Sequence, residues 1–178
     1  MKHYYTATEY KTLLGQLRIV VDSAEKSNEH IIGFFDKRKI PYIERKLKNG
    51  DYNARIDMCP KLGYPIDTYL TDEIFIERKN SLSELASSIN NEAFHYELKR
   101  ARNIEHKYLL VEQPNGWQGL LEHDYRNKYS EKAFWGTLHT FEVEYGLRIK
   151  FLPKEAMGLA IYSICKAVLD SKILKSTS

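Results

Sequence analysis

The sequence predicts an α/β domain in which one sheet is covered by crossover helices. Three observations predict it. Segments with apolar residues at every second position alternate along the chain with segments whose apolar residues recur every three or four, the pattern of strands linked by helices. No repeat, low-complexity stretch or Pro/Gly/Ser-rich linker divides the chain, so the elements are expected to share one core. Finally, 178 residues that are 43% hydrophobic suffice for one well-buried core and would leave two domains thin. A single domain over residues 1–178 is expected, with its core over about 16–170.

A first strand is expected over residues 16–22, where Leu17, Ile19, Val20 and Val21 run into Asp22. A helix over 27–39 places Ile31, Ile32 and Phe35 on one face, and Pro41 lies just past its end. Two alternating stretches, 42–47 and 52–58, are joined by Lys48, Asn49, Gly50 and Asp51, which reads as a hairpin or a tight corner. Over 73–79 alternation puts Phe75, Glu77 and Lys79 on one face and Ile74, Ile76 and Arg78 on the other. Ser81-Leu82-Ser83-Glu84 matches a capping box, so a helix should start directly after that strand. A further helix over 92–104 leads to an apolar strand at 107–112. Phe134, Leu138, Phe141 and Tyr145 keep helical spacing up to Gly146, and Leu147, Ile149 and Phe151 alternate as a last strand. The final helix, 155–174, carries the stripe Met157, Ile161, Ile164, Cys165 and Val168, which is either core or a surface on which two copies pair.

Composition excludes several classes. With 29% charged residues and a net charge of only +3, the chain is far from the disordered regime, and its total charge alone does not demand a polyanionic partner. Cys59 and Cys165 have no neighbouring Cys or His at ligand spacing, which argues against a disulfide scaffold or a zinc ribbon and for a reducing compartment. His95, His106, His123 and His139 show no mutual metal spacing. No apolar run approaches a membrane span and the opening MKHYYTATEYK lacks a signal-peptide core, so a soluble cytoplasmic protein without a membrane partner is expected.

The chemistry-bearing residues gather at element ends: Asp22 closing a strand, Glu25 just beyond, Asp51 after Gly50, and Glu77 with Lys79 near the end of another strand. Metal-assisted phosphodiester hydrolysis needs hard oxygen ligands for Mg²⁺ or Mn²⁺ and a cation near the developing charge. Because strand side chains repeat every two residues, Glu77-Arg78-Lys79 presents a carboxylate and an ammonium on one face, and Asp51 can complete the set if its own strand lies alongside. Ile-Glu-Arg-Lys occurs twice, at 43–46 and 76–79. Only the second copy is followed by a helix cap, and chemistry is assigned to it.

This Asp…Glu-x-Lys arrangement resembles the PD-(D/E)XK nuclease superfamily. The strings IVVDSAEKSNEHI, KLKNGDY, IFIERKNSLSELASSI and YLLVE, continued by AFHYELKRA and SEKAFWGTLHTFEVEYGLRIKFL, are similar to the XPF-type nuclease domain of structure-specific endonucleases, in the short stand-alone form often carried by bacteriophages. The resemblance implies a restriction-endonuclease-like fold with a central mixed sheet flanked by helices. It also implies Mg²⁺- or Mn²⁺-dependent cleavage of branched, flapped or otherwise structured DNA. Metal ligation falls to Asp51 and Glu77 with help from Asp22, catalysis to Lys79, and supporting roles to Glu25 and to Arg78, whose main-chain carbonyl faces the metal. Three departures stand out. Ser83 occupies the place of the family's acid, with Glu84 beside it; the arginine of the first motif is absent from Asp22-Ser23-Ala24-Glu25; and Ala93 precedes Phe94 where an arginine is common. Glu84 is the candidate to substitute for that acid in a supporting role, beside the structural explanation its capping-box position already offers.

Lys46, Lys48, Lys99, Arg100 and Arg102 are candidate phosphate contacts, though each flanks a surface element where solvated charge is ordinary. Trp117 and Trp135 could stack on bases, with Trp135 better explained as core. Related proteins carry a helix-hairpin-helix module after the nuclease domain. Here one helix without such glycine turns follows Pro153, so substrate choice is expected from the domain itself, a homodimer or a protein partner. The competing reading is a catalytically silent DNA-binding or scaffold module of the same fold, against which the retention of Asp22, Asp51, Glu77 and Lys79 weighs.

Overall fold

A computed structural model describes residues 5–175. Its centre is a mixed, twisted sheet of seven strands: β1 (Leu17–Val21), β2 (Tyr42–Glu44), β3 (Tyr52–Ile56), β4 (Thr68–Tyr69), β5 (Ile74–Lys79), β6 (His106–Glu112) and β7 (Arg148–Leu152). Six of them stand in the order β2-β1-β3-β5-β6-β7, and β4 pairs with β3 off that path. Strands β1/β2, β5/β6 and β6/β7 are parallel, whereas β3 runs antiparallel to both of its neighbours β1 and β5. Every residue of β5 is buried, as a strand covered on both faces must be.

Seven helices cover the faces: α1 (Ala7–Gly15), α2 (Glu29–Arg38), α3 (Leu82–Ser88), α4 (Glu92–Arg100), α5 (Gly116–Leu121), α6 (Glu131–Tyr145) and α7 (Met157–Lys175). Residues from α1, α2 and α7 join Ile19, Ile74 and Ile76 in one core, and residues from α3 to α6 join Phe75, Leu109 and Val111 in the other. The alternation read along β5 is therefore real, and the Phe75 face, which also carries Glu77 and Lys79, looks toward α3 and α4. Helix ends follow local chemistry. Ser81 caps α3 by accepting from the Glu84 amide, Asn91 and Ser130 cap α4 and α6 in the same way, and Gly146 ends α6 with φ +63°.

Three expectations change. Strands β2 and β3 do not form a hairpin: β2 lies parallel to β1 on one side, and β3 lies antiparallel to β1 on the other. The segment between them must then pass over the carboxyl end of β1, and it does so after Arg45, whose amide still donates to the Val21 carbonyl and whose carbonyl accepts from the Ser23 amide. The α7 stripe is core, with Met157 and Ile161 fully buried and Ile164 and Val168 nearly so, so it does not furnish the surface for a homodimer. Helices α1 and α5 were not foreseen. The signal for α1 lies in Thr6-x-x-Glu9, which forms a complete capping box, while six-residue α5 is too short to show a period.

Candidate active site

Three adjacent strands bring the acids together. The β1–β3 register pairs Val21 with Tyr52, and one step further the Asp22 amide donates to the Asp51 carbonyl at 2.8 Å. On the other side Tyr52 pairs with Ile76, and the Asp51 amide donates to the Ile76 carbonyl at 2.8 Å. Asp51 thus sits between the ends of β1 and β5. Gly50 makes the entry possible: its φ is +72°, and a Cβ there would lie 2.8 Å from the Ile76 carbonyl oxygen. The Arg78 amide donates to Asp51 Oδ2 at 2.8 Å, which turns this carboxylate toward the end of β5.

Glu77 and Lys79 stand on the same face of β5, joined by a 2.6 Å hydrogen bond from Nζ to Oε1, with side chains only 6% and 10% exposed. The Lys79 ammonium also lies 4.9 Å from the centre of the Phe94 ring on α4. Burial pushes the Glu77 carboxyl up to about 7 against the pull of Lys79, and burial with the charges of Glu77 and Glu25 holds Asp51 well above the usual carboxylate range. Burial would lower Lys79, but the Glu77 charge and hydrogen bond outweigh it and keep the ammonium protonated. Crowded, desolvated carboxylates of this kind gain from a bound cation.

The donor set fits a hard divalent ion. Glu77 Oε2 is buried and has no hydrogen-bond partner, and the neighbouring Asp51 supplies a second carboxylate. Among the described residues no three His, Cys, Asp or Glu side chains converge as a closed cage. Mg²⁺ suits such a place, because it commonly takes one or two carboxylates and fills the rest of its octahedron with water and substrate phosphate.

A family profile for the ERCC4 domain matches residues 21–161, a span that contains all of these groups. The chain belongs to the ERCC4 domain family. Among solved structures, XPF from Aeropyrum pernix in complex with DNA is similar, with a TM-score of 0.60 and 22% identity over 87% of this chain and 65% of that one. A second structure of XPF from Aeropyrum pernix gives 0.61 and 20% over 84% and 60%. The likeness establishes the restriction-endonuclease-like fold, and this ERCC4 domain spans under two thirds of those chains. No curated protein sequence matches it.

Within the ERCC4 domain, Arg78 points away from Glu77 and Lys79, to the α2 side of the sheet. There its guanidinium donates to Glu25 Oε1 at 2.8 Å, Glu112 Oε1 at 3.1 Å and the Ser27 carbonyl at 2.9 Å. Glu112 also meets His30 Nε2 at 2.8 Å, and Tyr52 donates to Glu25 at 3.4 Å. Glu25 is thus tied to the back of the site. Burial and the charge of Glu84 raise its carboxyl even though Arg78 opposes them. Glu84 reaches back to the Asn80 amide at 2.7 Å, and Ser83 accepts the Arg126 amide at 2.9 Å, so both residues of the altered family position have structural partners.

The segment crossing the end of β1 opens a cleft of about 650 Å³ lined by Lys46, Lys48, Asp51, Tyr96, Glu97 and Arg100 among others. Lys99 lies over the ring of Tyr96 without lining the cleft itself, and Arg102 is exposed beyond it. One site residue escaped sequence reasoning. Glu97 accepts the Gly50 amide at 2.7 Å and so steadies the turn before Asp51; helical spacing from Phe94 is its only signal in the sequence. Lys46, from the discounted copy of Ile-Glu-Arg-Lys, donates to Asp22 Oδ2 at 2.8 Å. Trp117 packs on Trp135 and on Phe151, against the core that α3 to α6 form on the Phe75 face of the sheet.

Proposed function

We propose that the chain is a Mg²⁺- or Mn²⁺-dependent DNA endonuclease that hydrolyses phosphodiester bonds in branched, flapped or otherwise structured DNA. The observation that carries this reading is the nearness of Asp51, which lines a cleft, to Glu77, whose buried Oε2 has no partner and whose Oε1 is paired with Lys79. The fold shared with XPF from Aeropyrum pernix, one structure of which is a complex with DNA, supports DNA as the ligand.

Asp51 and Glu77 would hold the ion, which when bound neutralises phosphate charge and lowers the pKa of a coordinated water. Lys79 fixes the Glu77 carboxylate and keeps a protonated ammonium where negative charge grows on the phosphorus oxygens. Phe94 covers the ammonium and limits access of water to it, which strengthens its field. The Arg78 amide and the Gly50 turn hold Asp51 in place without further motion, so the acids are organised before substrate arrives. A water oxygen would then bond to phosphorus and release one proton to solvent as the P–O bond to the sugar oxygen of the leaving DNA strand breaks, and that sugar oxygen takes up a proton from solvent.

The test is cleavage of a panel of flapped, forked, nicked and linear DNAs with Mg²⁺, Mn²⁺ or EDTA, using wild type and Asp51→Asn. Cleavage that depends on the metal and falls at least about a hundredfold in the variant, roughly 2.7 kcal/mol of barrier, is expected. Activity undiminished by EDTA, or equal in the variant, would refute the metal mechanism. Failure to cut any substrate while still binding DNA would favour the silent module.

A further inference from the structure

The resemblance groups Asp22 with the metal ligands, yet its carboxylate is already occupied. Oδ2 accepts from Lys46 Nζ at 2.8 Å and Oδ1 from the Leu47 amide at 3.0 Å. Both donors come from the segment that crosses the end of β1, and the contrast with Glu77, whose Oε2 has no partner, is direct. Burial would raise the Asp22 carboxyl, but these hydrogen bonds, with the Ala24 amide, outweigh it and hold the acid ionised. Asp22 is 7% exposed, whereas the Lys46 side chain is 69% exposed. An exposed lysine gains little from an ion pair as such, so stability alone does not explain why a buried acid should anchor it.

Lys46 lines the cleft that reaches Asp51, together with Lys48 and Arg100 and with the acids Asp22 and Glu97. The Arg100 guanidinium is itself fixed across the segment, donating to Asn49 Oδ1 at 2.8 Å and to the Lys48 carbonyl at 3.3 Å, with donors left to face the cleft. Glu97, one turn before Arg100 on α4, spends Oε1 on the Gly50 amide. Two cations held in place, Lys46 and Arg100, in a cleft that reaches Asp51 suit a nucleic-acid backbone that must lay one phosphate on the metal site and the next on cations.

We propose that Lys46 binds a DNA phosphate adjacent to the scissile one, and that Asp22 is the positioning residue for Lys46, leaving the ion to Asp51 and Glu77. This rests on the endonuclease reading above. Lys46 can exchange one anion for the other without entering a dry environment, because most of its side chain already faces water.

The decisive variant is Lys46→Met, an exposed change that leaves Asp22 in place. DNA affinity is measured with the metal chelated, on one flapped duplex, over a range of salt. One lost phosphate contact should flatten the slope of log K against log[salt] by about 0.9, and Lys46→Arg should restore it. A slope equal to wild type in Lys46→Met would overturn the phosphate contact. Asp22→Asn should keep Mn²⁺ affinity, read by calorimetry without DNA, within about twofold of wild type, while Asp51→Asn and Glu77→Gln lose at least about tenfold. Loss of Mn²⁺ affinity in Asp22→Asn to match Asp51→Asn would overturn the positioning role. If wild type shows no salt-dependent binding to any DNA, the endonuclease reading itself fails, a result distinct from either of these.

Discussion

Gly50→Ala tests whether the turn before Asp51 is under the constraint its geometry implies. Gly50 has φ +72°, a conformation that costs an L-residue about 1–2 kcal/mol. The added Cβ would lie 2.8 Å from the Ile76 carbonyl oxygen and 3.3 Å from the Ile76 carbonyl carbon and amide nitrogen. These atoms are the backbone of a buried strand flanked by β3 and β6, so they cannot yield as a flexible side chain would, and overpacking of this kind costs about 1–3 kcal/mol. The lower entropy of the unfolded alanine chain returns roughly 0.4–1 kcal/mol. The net expectation is a loss of about 2–4 kcal/mol, which for a domain of this size lowers Tm by roughly 5–15 °C. Urea unfolding followed by Trp fluorescence reads the first quantity, and Mn²⁺ titration of the folded variant reads displacement of Asp51. A variant with unchanged midpoint and unchanged Mn²⁺ affinity would show that the turn is not strained against β5 and that Asp51 does not depend on it.

Lys79→Ala should abolish cleavage while leaving metal-free DNA binding intact, because the ammonium is buried against Glu77 and Phe94 and takes no part in gripping the backbone; filter binding beside the cleavage assay checks both halves. Arg78→Met should destabilise by about 3–5 kcal/mol, since it strands two largely buried carboxylates, Glu25 and Glu112, without their shared cation, and denaturant melts of the variant measure this. The Glu77 carboxyl is raised from 4.5 to about 7, so the folded state binds a proton more tightly than the unfolded chain. Its contribution to stability is therefore present below about pH 4.5 and is lost as pH rises toward 7, a slope that Glu77→Gln should flatten in pH-dependent unfolding. The same proton must leave before a metal can bind, so Mn²⁺ affinity should climb with pH up to about 7 and plateau above it, as calorimetry in several buffers would reveal.

The Lys46 result bears on how substrate is held. Lys48, Arg100 and Lys46 are carried by the segment joining β2 to β3 and by α4, both of which also touch the Gly50-Asp51 turn. Phosphate grip and placement of Asp51 therefore share one piece of backbone. A change in that segment is expected to alter binding and chemistry together.

Much of the domain was legible in the chain. The period-two run 73–79 assigned Glu77 and Lys79 to one face of β5 and Arg78 to the other, because side chains of a strand alternate whatever lies around them. Ser81 marked the start of α3 by accepting from the Glu84 amide, while the Glu84 carboxylate accepts from the Asn80 amide and not from Ser81 as a full capping box would require, and Gly146 marked the end of α6 through its left-handed conformation. What only the tertiary structure decided was which strands are neighbours. Two stretches joined by Lys48-Asn49-Gly50-Asp51 satisfy the local rules for a hairpin, yet β1 lies between them, β3 buried beside it and β2 at the sheet edge, and local sequence carries no information about a strand far away in the chain. From that one non-local choice follow the crossing of the 45–51 segment over β1, the reach of Lys46 to Asp22 and the cleft wall. The fate of the α7 stripe was decided in the same way, because an apolar face reads identically whether its partner is the chain's own sheet or a second copy. Sequence determined the local elements and the identity of the acids and the lysine, for those depend on spacing and chemical type; the sheet order determined which of them meet.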